Sequence, residues 1–428
     1  MKNIRIGCVT QNVDVVSLKE IVRDNQIDLL VFPEHIQKIT LGNLSEGESA
    51  IVEFEMNWAK QINCAMVMGM QDDNGAIFNV FVNPKANENE TKSHLYIKHT
   101  MTDYSAFEWS NYAELSKRMF EPILFNGWRI GMTICYDSTF PIFSRLYGKQ
   151  GVDLLVNSTG YNAKKDKWFK YHKVRSIENN CNSVVTMLWD EDSRYPPTYC
   201  FNREGGTINP QKCIDDNVDI YEIEYDKGTS EIDEYTKKQQ ESVNKTFDLK
   251  IPVGNVWKLI EKSEFVDKNV YCYCQKNRNV IFCVINGNEI LKPEKVLQLL
   301  YNKNLDFIEN KSFVIVNQHK HLSDAFFQTK LDTVLKVRAM ENYCVVVMES
   351  NGFSKCYQCT NYKTSQVVKP TNDFFGVDLR RATGPKRTGL HNSEKWNSNI
   401  EFLVSTIAKK VIFKQGFLWN KTYIILDH

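Results

Sequence analysis

Residues 130–141 read I-G-M-T-I-C-Y-D-S-T-F-P and place a cysteine, Cys135, at the end of an apolar run. The apolar run predicts a buried β-strand, and Pro141 predicts the start of a helix because proline is favoured at the first helical position. A free cysteine is most often a small buried hydrophobe, so this stretch by itself favours a structural thiol. The alternative, a catalytic nucleophile, depends on what the other strand ends of the chain carry.

The composition is that of a folded globular protein without a polyanionic partner. The chain has 428 residues, 42% of them hydrophobic and 12% aromatic, which is enough for two domains or for one large core with an appendage. Its 53 basic residues balance 52 acidic ones. A balanced charge gives no electrostatic case for binding nucleic acid or an anionic membrane surface. We expect a small-molecule partner instead.

The first residues and the cysteines favour a reducing compartment. The opening M-K-N-I-R-I-G-C lacks the apolar stretch of a signal peptide, and no run approaches the roughly eighteen apolar residues of a membrane span. We therefore expect a cytoplasmic protein. Its 12 cysteines are scattered over a long chain, which favours reduced thiols over a disulfide framework.

Two close cysteine pairs leave a metal site open as an alternative. Cys272 and Cys274 form one pair, and Cys356 and Cys359 form the other. Together they could supply the four thiolates of a structural zinc site. Both pairs also alternate with tyrosines, as expected for strands with one buried and one exposed face. We favour the strands and predict no metal and no cofactor.

The pattern of apolar residues predicts alternating strands and helices. Around Cys135, the sequence predicts the strands 128–135, 153–157 and 183–188 and the helices 141–150 and 165–181. Near the start it predicts a helix over 15–25 and a strand over 27–32, and further on a strand over 62–70. Buried strands that alternate with helices indicate an α/β layered architecture.

Three predicted strands end in reactive side chains. Glu34 follows L-L-V-F-P, Lys98 follows L-Y-I, and Cys135 follows M-T-I. Strand ends of a helix-covered sheet are rigid and accessible to ligands, so functional groups collect there. A thiolate nucleophile, a carboxylate that takes its proton and a cation that holds the developing oxyanion are the groups that amide cleavage requires.

The motifs F-P-E-H, Y-I-K-H and I-C-Y-D, in this order, resemble those of the nitrilase superfamily of carbon-nitrogen hydrolases. The resemblance covers residues 1 to about 235. It implies a four-layer α-β-β-α sandwich. It also implies that Glu34 is the general base, that Lys98 stabilises the tetrahedral intermediate and that Cys135 is the nucleophile.

The resemblance implies further site residues. Many members use an additional glutamate between the lysine and the cysteine, for which Glu108 fits best and Glu114 is the alternative. The backbone N–H of Tyr136 would be a second donor to the oxyanion. Among the residues near strand ends, Tyr136, Asn157 and Tyr161 are the candidates for substrate binding.

Two positions depart from the pattern of the superfamily. Thr139 stands where members commonly have arginine, and Ile142 stands where they have an acidic residue. The glycine-serine signature that follows later in the family is also absent from S-R-Y-P-P-T-Y-C-F-N. The departures leave Glu34, Lys98 and Cys135 untouched, but they put the substrate and the usual subunit contacts in doubt.

The second half of the chain echoes the first. Residues 174–185 read V-R-S-I-E-N-N-C-N-S-V-V, and residues 337–348 read V-R-A-M-E-N-Y-C-V-V-V-M. We therefore predict a catalytic domain over 1–240 and a degenerate, partial nitrilase-like repeat over 241–428, with Ile285 near the place of Cys135. The repeat could act as an intramolecular pseudo-partner in the manner of a second subunit. A separate recognition domain and a homo-oligomer remain open.

These observations predict a hydrolase that cleaves an amide-type carbon-nitrogen bond through a cysteine thioester. The substrate would be a small amide or, less favoured, a nitrile. Two alternatives remain open: a nitrilase-like pseudoenzyme that binds a ligand or regulates a partner, and an acyltransferase in which an amine resolves the acyl-enzyme and forms a new amide.

Overall fold

The chain contains two compact units, unit 1 over Met1–Gly228 and unit 2 over Thr229–Thr388. The predicted domain boundary at 240 falls outside the described residues. The computed structural model describes residues 3–34, 36–39, 44–72, 76–99, 119–161, 167–189, 196–226, 228, 234, 258–261, 270–275, 278–300, 311–319, 322–350, 353–361, 364–368, 370–371 and 374–375.

Unit 1 alternates strands and helices. Its helices are α1 (Val15–Asn25), α2 (Leu44–Ile62), α3 (Pro141–Gly148) and α4 (Lys167–Asn179). A 3₁₀ turn over Cys135–Thr139 joins the eighth strand to α3. The strands are β1 (Ile4–Val9), β2 (Leu29–Val31), β3 (Gln37–Ile39), β4 (Ala65–Asp72), β5 (Ile77–Val82), β6 (Ser93–Ile97), β7 (Ile123–Phe125), β8 (Trp128–Ile134), β9 (Leu154–Tyr161), β10 (Asn182–Leu188), β11 (Thr198–Phe201), β12 (Thr207–Ile208), β13 (Lys212–Ile214) and β14 (Val218–Ile223).

These strands form two sheets. Sheet A has the order β13-β14-β1-β2-β4-β5-β6, with β3 paired to β4, and sheet B has the order β12-β11-β10-β9-β8-β7. The central strands β1, β2 and β4 of sheet A run parallel, as do β8, β9 and β10 of sheet B. Parallel strands end at the same edge of their sheet, so the residues that follow β2 and β8 lie at such edges.

The layers of unit 1 follow the order helix, sheet, sheet, helix. Helix α2 packs on α1 and on β4 and β5, and sheet A contacts sheet B where β5 meets β8 and β1 meets β10. Helices α3 and α4 pack on β8, β10 and β11. The predicted four-layer α-β-β-α sandwich is confirmed.

Sheet B owes its close helix packing to a glycine in the stretch around the cysteine. Six of the seven residues of β8 are buried, as expected for a parallel strand covered on both faces. A Cβ at Gly131 would lie 2.6 Å from the ring of Tyr147, so only glycine lets α3 approach β8 this closely. Pro141 then opens α3, as the sequence predicts.

One element boundary differs from the prediction. The predicted strand over 62–70 begins too early, because Ile62 is the last residue of α2 and β4 starts only at Ala65. Between them Asn63 adopts a left-handed φ of 63°, a common way to end a helix. Helix α2 itself was not predicted, since its first half contains glycine and several polar residues.

Unit 2 contains one large sheet, sheet C, and helices packed on it. Its order is β15-β16-β17-β18-β19-β20-β21. A 3₁₀ turn, Gly287–Leu291, follows β17, and a π-helical turn, Phe327–Leu331, precedes the last helix. The other elements are β15 (Lys258–Glu261), β16 (Val270–Gln275), β17 (Arg278–Asn286), α5 (Pro293–Leu300), β18 (Lys311–His319), α6 (Asp324–Phe326), α7 (Asp332–Asn342), β19 (Val345–Ser350), β20 (Phe353–Asn361), β21 (Thr364–Val368), β22 (Pro370–Thr371) and β23 (Phe374–Phe375).

The register of sheet C refines the place, near Ile285, that the predicted repeat gives to a counterpart of Cys135. Ile285 pairs with Asn317 across β17 and β18, as Thr133 pairs with Asn157 across β8 and β9. On the predicted repeat, Ile285 takes the place of Thr133, and Gly287, the first residue of the next turn, takes the place of Cys135. An apolar strand pattern does not fix where a strand ends, so the sequence alone places this position only to within about two residues.

The cysteine pair of β20 does not fit a shared metal site. Cys356 and Cys359 are both buried, and they lie three residues apart on a strand that pairs regularly with β19 and β21. Side chains alternate along a strand, so these two thiols point to opposite faces. The side chains of Cys272 and Cys274 lie outside the described residues.

Among the described helices of the chain, none is long and apolar enough to cross a lipid bilayer.

Candidate active site

Three strand ends of unit 1 meet at one buried point between the two sheets. Glu34 follows β2, Lys98 follows β6 and Cys135 follows β8. The Lys98 Nζ lies 2.6 Å from the Glu34 Oε1, and these two side chains are 5% and 2% exposed. The charges of Glu34 and Lys98 both act on the thiol of Cys135, which places it beside this ion pair. The structure thus brings together the three residues singled out in the sequence.

The carboxylate of Glu34 is held from both sides. While Lys98 contacts Oε1, the backbone N–H of Gly160 donates to Oε2 over 3.1 Å. The backbone N–H of Glu34 in turn donates to the carbonyl oxygen of Thr159 over 3.3 Å. These bonds join the end of β2 in sheet A to β9 in sheet B. Sequence reasoning missed Gly160, whose only signal is its place near the end of a predicted strand.

A glycine on the neighbouring strand makes room for Glu34. A Cβ at Gly69, on β4, would lie 2.4 Å from the carbonyl oxygen of Pro33 and 2.6 Å from the Cα of Glu34. Both atoms belong to the backbone and cannot move aside cheaply. Any side chain at this position would displace the general-base candidate from the site.

The turn that carries Cys135 is anchored by a buried aspartate. Asp137 accepts a hydrogen bond from the Tyr96 hydroxyl over 2.9 Å and from the backbone N–H of His99 over 3.2 Å. Cys135 itself has a φ of 44°, in the left-handed region that a residue with a side chain rarely adopts. Such strain persists only where the surroundings fix the backbone, and it is frequent at active sites.

A buried arginine of α4 holds the other side of the same turn. The Arg175 Nε donates to the carbonyl oxygen of Ser138 over 2.8 Å, and its Nη2 donates to that of Thr139 over 3.3 Å. Its Nη1 contacts the Glu178 carboxylate at 2.7 Å, which balances the charge. Because the guanidinium forks in one plane, it fixes the turn and the helix in a single geometry.

The electrostatics keep the thiol protonated and the lysine charged. Burial and then the negative charge of Glu34 raise the pKa of Cys135 to about 12, although the charge of Lys98 acts in the opposite sense. Burial lowers the pKa of Lys98, but at high pH the thiolate form of Cys135 and the Glu34 carboxylate outweigh it and leave that pKa above its usual value. At neutral pH the site therefore contains a thiol, and this thiol needs a base before it can attack.

The family model of carbon-nitrogen hydrolases matches residues 13–193, a range that contains Glu34, Lys98 and Cys135. Unit 1 belongs to the carbon-nitrogen hydrolase family. This confirms the family assignment made from the three motifs, and it makes the chain an enzyme of the carbon-nitrogen hydrolase class. Among curated proteins, nothing matches the chain.

Several solved carbon-nitrogen hydrolases resemble the chain at low identity. The enzyme from Helicobacter pylori G27 is 14% identical, with 53% of this chain and 90% of that chain covered and a TM-score of 0.38. Nit3 from Saccharomyces cerevisiae is 15% identical, with 57% and 96% covered and a TM-score of 0.36. The NitN amidase from Nesterenkonia sp. AN1 is 13% identical, with 56% and 98% covered and a TM-score of 0.39. The family model, and not these likenesses, carries the assignment.

Asn157 of this carbon-nitrogen hydrolase is engaged within sheet B. Its Nδ2 donates to the Thr133 hydroxyl over 2.9 Å, and its Oδ1 accepts from the Thr159 hydroxyl over 2.7 Å. The side chain is 2% exposed. Its amide thus links β8 to β9 directly below the nucleophile, and we leave it out of the substrate-binding groups proposed below.

The other predicted site residues differ in how far they are described. Tyr136 is partly exposed beside the nucleophile, and its ring lies edge-on to that of Phe140 at 5.7 Å. Tyr161 is the last residue of β9, but its side chain lies outside the described residues. Glu108 and Glu114 also lie outside them, so the auxiliary carboxylate stays a prediction.

His99 stands next to Lys98 but is surrounded by aromatic rings. Its ring lies 4.5 Å from that of Phe143 and 5.4 Å from that of Phe120, measured between centroids. Burial lowers the pKa of His99 to about 3, so the imidazole is neutral at physiological pH. A side chain with this pKa packs the site and does not carry protons for the hydrolase.

No group of three His, Cys, Asp or Glu side chains suited to a metal occurs in the described part of the chain.

Proposed function

We propose that this carbon-nitrogen hydrolase cleaves the amide bond of a small molecule through a thioester on Cys135. The observation that carries the proposal is the position of the Glu34 carboxylate. It contacts the Lys98 ammonium at 2.6 Å in a buried site, and its negative charge acts on the neighbouring Cys135 thiol. A thiol with a raised pKa needs a base beside it that takes its proton. A cation nearby then stabilises the oxyanion that forms after the attack.

The first half of the reaction forms the acyl-enzyme. Glu34 takes the thiol proton as the sulfur of Cys135 attacks the amide carbonyl carbon and forms a C–S bond. The electron pair of the carbonyl moves to its oxygen, and the charge of Lys98 stabilises the oxyanion. Glu34 then passes its proton to the amide nitrogen, the C–N bond breaks, and ammonia or an amine leaves.

The second half regenerates the thiol. Glu34 takes a proton from a water molecule, and the oxygen of that water attacks the thioester carbonyl. A second oxyanion forms at the same place and collapses with cleavage of the C–S bond. The sulfur of Cys135 recovers its proton from Glu34, and a carboxylic acid is released. The carboxylate thus serves both attacks, which agrees with its two-sided support by Lys98 and Gly160.

The strained turn supports this proposal because it presents a backbone donor. Cys135 begins a 3₁₀ turn, and the first N–H groups of a helical turn have no partner inside the turn. The N–H of Tyr136 is one of these groups and would be the second donor to the oxyanion. A donor fixed before the reaction is worth more than a mobile one, since no reorganisation is needed during attack.

The test is a trapping experiment on the full chain. A panel of primary amides and the matching nitriles is offered to the wild type and to Cys135→Ala, and released ammonia is measured. Acid quenching followed by mass spectrometry should find the acyl group on the peptide that contains Cys135. Ammonia release without an adduct at Cys135, or equal turnover by Cys135→Ala, would refute the thioester route.

The same experiment separates hydrolysis from acyl transfer. Hydroxylamine added with the amide would capture the thioester as a hydroxamate. For a hydrolase, the free acid forms at an undiminished rate when no amine is present. An acyl-enzyme that persists until an amine arrives would instead identify an acyltransferase. An electrophile that fails to modify Cys135 faster than the exposed control Cys213 would favour a pseudoenzyme.

A further inference from the structure

Unit 1 contains a cavity of about 450 Å³ whose walls come from both of its sheets. Strands β11 and β12 of sheet B, strand β14 of sheet A and the start of α4 line it. Its wall residue Tyr199 belongs to the apolar cluster against which Cys135 packs, but Cys135 itself is not among the described residues that line the cavity. Small-molecule sites have volumes of about 300–1,000 Å³, so the cavity is large enough for a second ligand.

The cavity has a negative charge in a largely apolar wall. Asp219, on β14, is half-buried and is the only acidic residue among the described residues that line it. These residues include no lysine, arginine or histidine that would balance the charge. In a space that excludes much of the solvent, a charge acts more strongly than it does in bulk water. The cavity therefore favours a ligand with a positive charge.

Two hydrogen bonds hold the carboxylate of Asp219 in one position. The Thr198 hydroxyl donates to its Oδ2 over 2.5 Å. The hydroxyl of Tyr221 lies 2.7 Å from the same Thr198 oxygen. Because Thr198 has a single hydroxyl hydrogen, which already points to Asp219, Tyr221 is the donor in the second bond. The chain of bonds links β11 to β14, so the negative charge has a fixed place in the wall.

Aromatic rings form much of the remaining wall. Phe169, Tyr199 and Tyr221 all line the cavity. The rings of Phe169 and Tyr199 meet edge to face, with centroids 5.5 Å apart and planes at 85°. Aromatic faces attract cations, and they favour organic ammonium ions that have lost little hydration energy on binding. A carboxylate and several aromatic rings around one space are the groups that recognise such ions.

Other classes of ligand fit this wall less well. An anion would be repelled by Asp219, and a neutral apolar molecule would gain nothing from its charge. A magnesium or calcium ion takes several oxygen ligands, whereas the described wall offers one carboxylate among mostly apolar groups. The charge and the rings together therefore select a cation with an apolar surface.

We propose that this cavity is a second ligand site of the enzyme and that it binds a small organic ammonium ion with an apolar body. Asp219 supplies the opposite charge, and Phe169, Tyr199 and Tyr221 supply the aromatic faces. The site is separate from Glu34, Lys98 and Cys135, so the proposal does not depend on the amide hydrolysis described above.

The experiment compares two probes of nearly the same shape. Choline carries a trimethylammonium group, and neohexyl alcohol carries a neutral tert-butyl group in its place. Benzyltrimethylammonium serves as a larger ammonium ion. Binding to the full chain is measured by isothermal titration calorimetry without any amide present. We expect choline to bind at least about ten-fold more tightly than neohexyl alcohol, and benzyltrimethylammonium to bind more tightly than choline.

Two variants separate the charge from the rings. Asp219→Asn removes the charge but keeps an oxygen that accepts the hydrogen bond of Thr198. It should weaken the binding of both ammonium ions by about ten-fold and leave that of neohexyl alcohol within about two-fold. Phe169→Leu should weaken the ammonium ions by about 2–30-fold, the range of one lost cation–π contact. The matched control is Asp215→Asn, which removes an exposed charge from the turn before β14 and should change no affinity.

A third variant tests the location. Ile208→Trp fills the cavity from β12 without any change of charge and should abolish the binding of all three probes. Circular dichroism checks that each variant is folded. Equal affinities of choline and neohexyl alcohol, or no saturable binding of either ammonium ion by the wild type, would overturn the proposal. Ammonium binding that is unchanged in both Asp219→Asn and Ile208→Trp takes place elsewhere and would also overturn it.

Discussion

Sheet B of unit 1 and sheet C of unit 2 follow the same course with different chemistry. In each, a strand ends in a five-residue 3₁₀ turn, and a helix that begins with proline follows. The first residue of each turn has a left-handed φ, 44° at Cys135 and 39° at Gly287. A second parallel strand, a helix and a third parallel strand then complete the pattern.

An arginine and an asparagine at matching positions support the turn in both units. Arg338 donates from Nε to the carbonyl oxygen of Ile290 over 3.0 Å and contacts Glu341 through Nη1. Arg175 makes the matching bonds, and its acceptor, Ser138, is likewise the fourth residue of its turn. Asn317 bonds the carbonyl oxygens of Ile285 and Gly287 where Asn157 bonds Thr133.

The comparison teaches that these polar groups build the turn and that the chemistry depends on other residues. Arg175 and Asn157 have counterparts in a unit whose turn has no cysteine, so their contacts serve the architecture. Cys135 has no such counterpart, since Gly287 stands in its place. We propose that unit 2 is a degenerate half repeat of unit 1. The pseudo-partner role of residues 241–428 stays a prediction, and a dimeric full chain in sedimentation would argue against it.

The most severe test of the comparison moves the thiol from one unit to the other. The double variant Cys135→Ala/Gly287→Cys should have no measurable turnover. Among the described residues of unit 2, the strands form only sheet C and the β22–β23 pair, so no second sheet brings a carboxylate and a lysine to the new thiol. Ammonia release by a folded double variant, checked by circular dichroism, would show that the turn alone suffices.

Glu34→Gln should separate thiol reactivity from amide turnover. Loss of the general base should lower kcat by about 10²–10⁴-fold. The charge of Glu34 helps to raise the pKa of Cys135 to about 12, so its removal leaves Lys98 unopposed and moves that pKa down. Alkylation by iodoacetamide should therefore reach its half-maximal rate at a lower pH in the variant than in the wild type.

One result would contradict the prediction for Glu34→Gln. An alkylation midpoint that stays in place or moves to higher pH would mean that Glu34 does not hold the thiol in its protonated form. The control is Glu53→Gln, which changes an exposed glutamate of α2 and should alter neither turnover nor alkylation.

Arg175 and Arg338 should contribute equally to stability, but Arg175 should contribute far more to activity. Arg175→Ala and Arg338→Ala each break a buried arginine–glutamate ion pair, which costs about 3–5 kcal/mol of unfolding free energy. Arg175→Ala should also lower kcat of the folded enzyme by about 10²-fold, the effect of a nucleophile displaced by about 1 Å. Denaturant unfolding and activity per folded molecule measure the two effects. A comparable loss of activity in Arg338→Ala would contradict the division between the units.

The smallest effect concerns backbone strain at the first residue of each turn. Cys135→Gly should be more stable than Cys135→Ala by about 1 kcal/mol, because glycine adopts a left-handed φ without strain. Gly287→Ala should lose a similar amount. Thermal unfolding of the three variants measures the difference. A glycine variant less stable than the alanine variant would show that the turn of unit 1 is relaxed.

Much of unit 1 was predictable because its patterns are local. The strand over 128–135 and the helices over 141–150 and 165–181 were predicted within two residues of β8, α3 and α4. Runs of buried apolar residues and a helix-initiating proline are properties of neighbouring residues. Helix α2 was not predicted, because its stability comes from packing on α1 and sheet A and not from its own sequence.

The sequence by itself determined the family and the three side chains, since apolar strands that end in Glu34, Lys98 and Cys135 can be recognised one motif at a time. Only the tertiary structure decided how they act. Gly160 supports Glu34 from a strand of the other sheet, and Gly69 admits it from a neighbouring strand. Burial between the sheets raises the pKa of the thiol. Such contacts join residues far apart in the chain, and no local pattern encodes a distance between two strand ends.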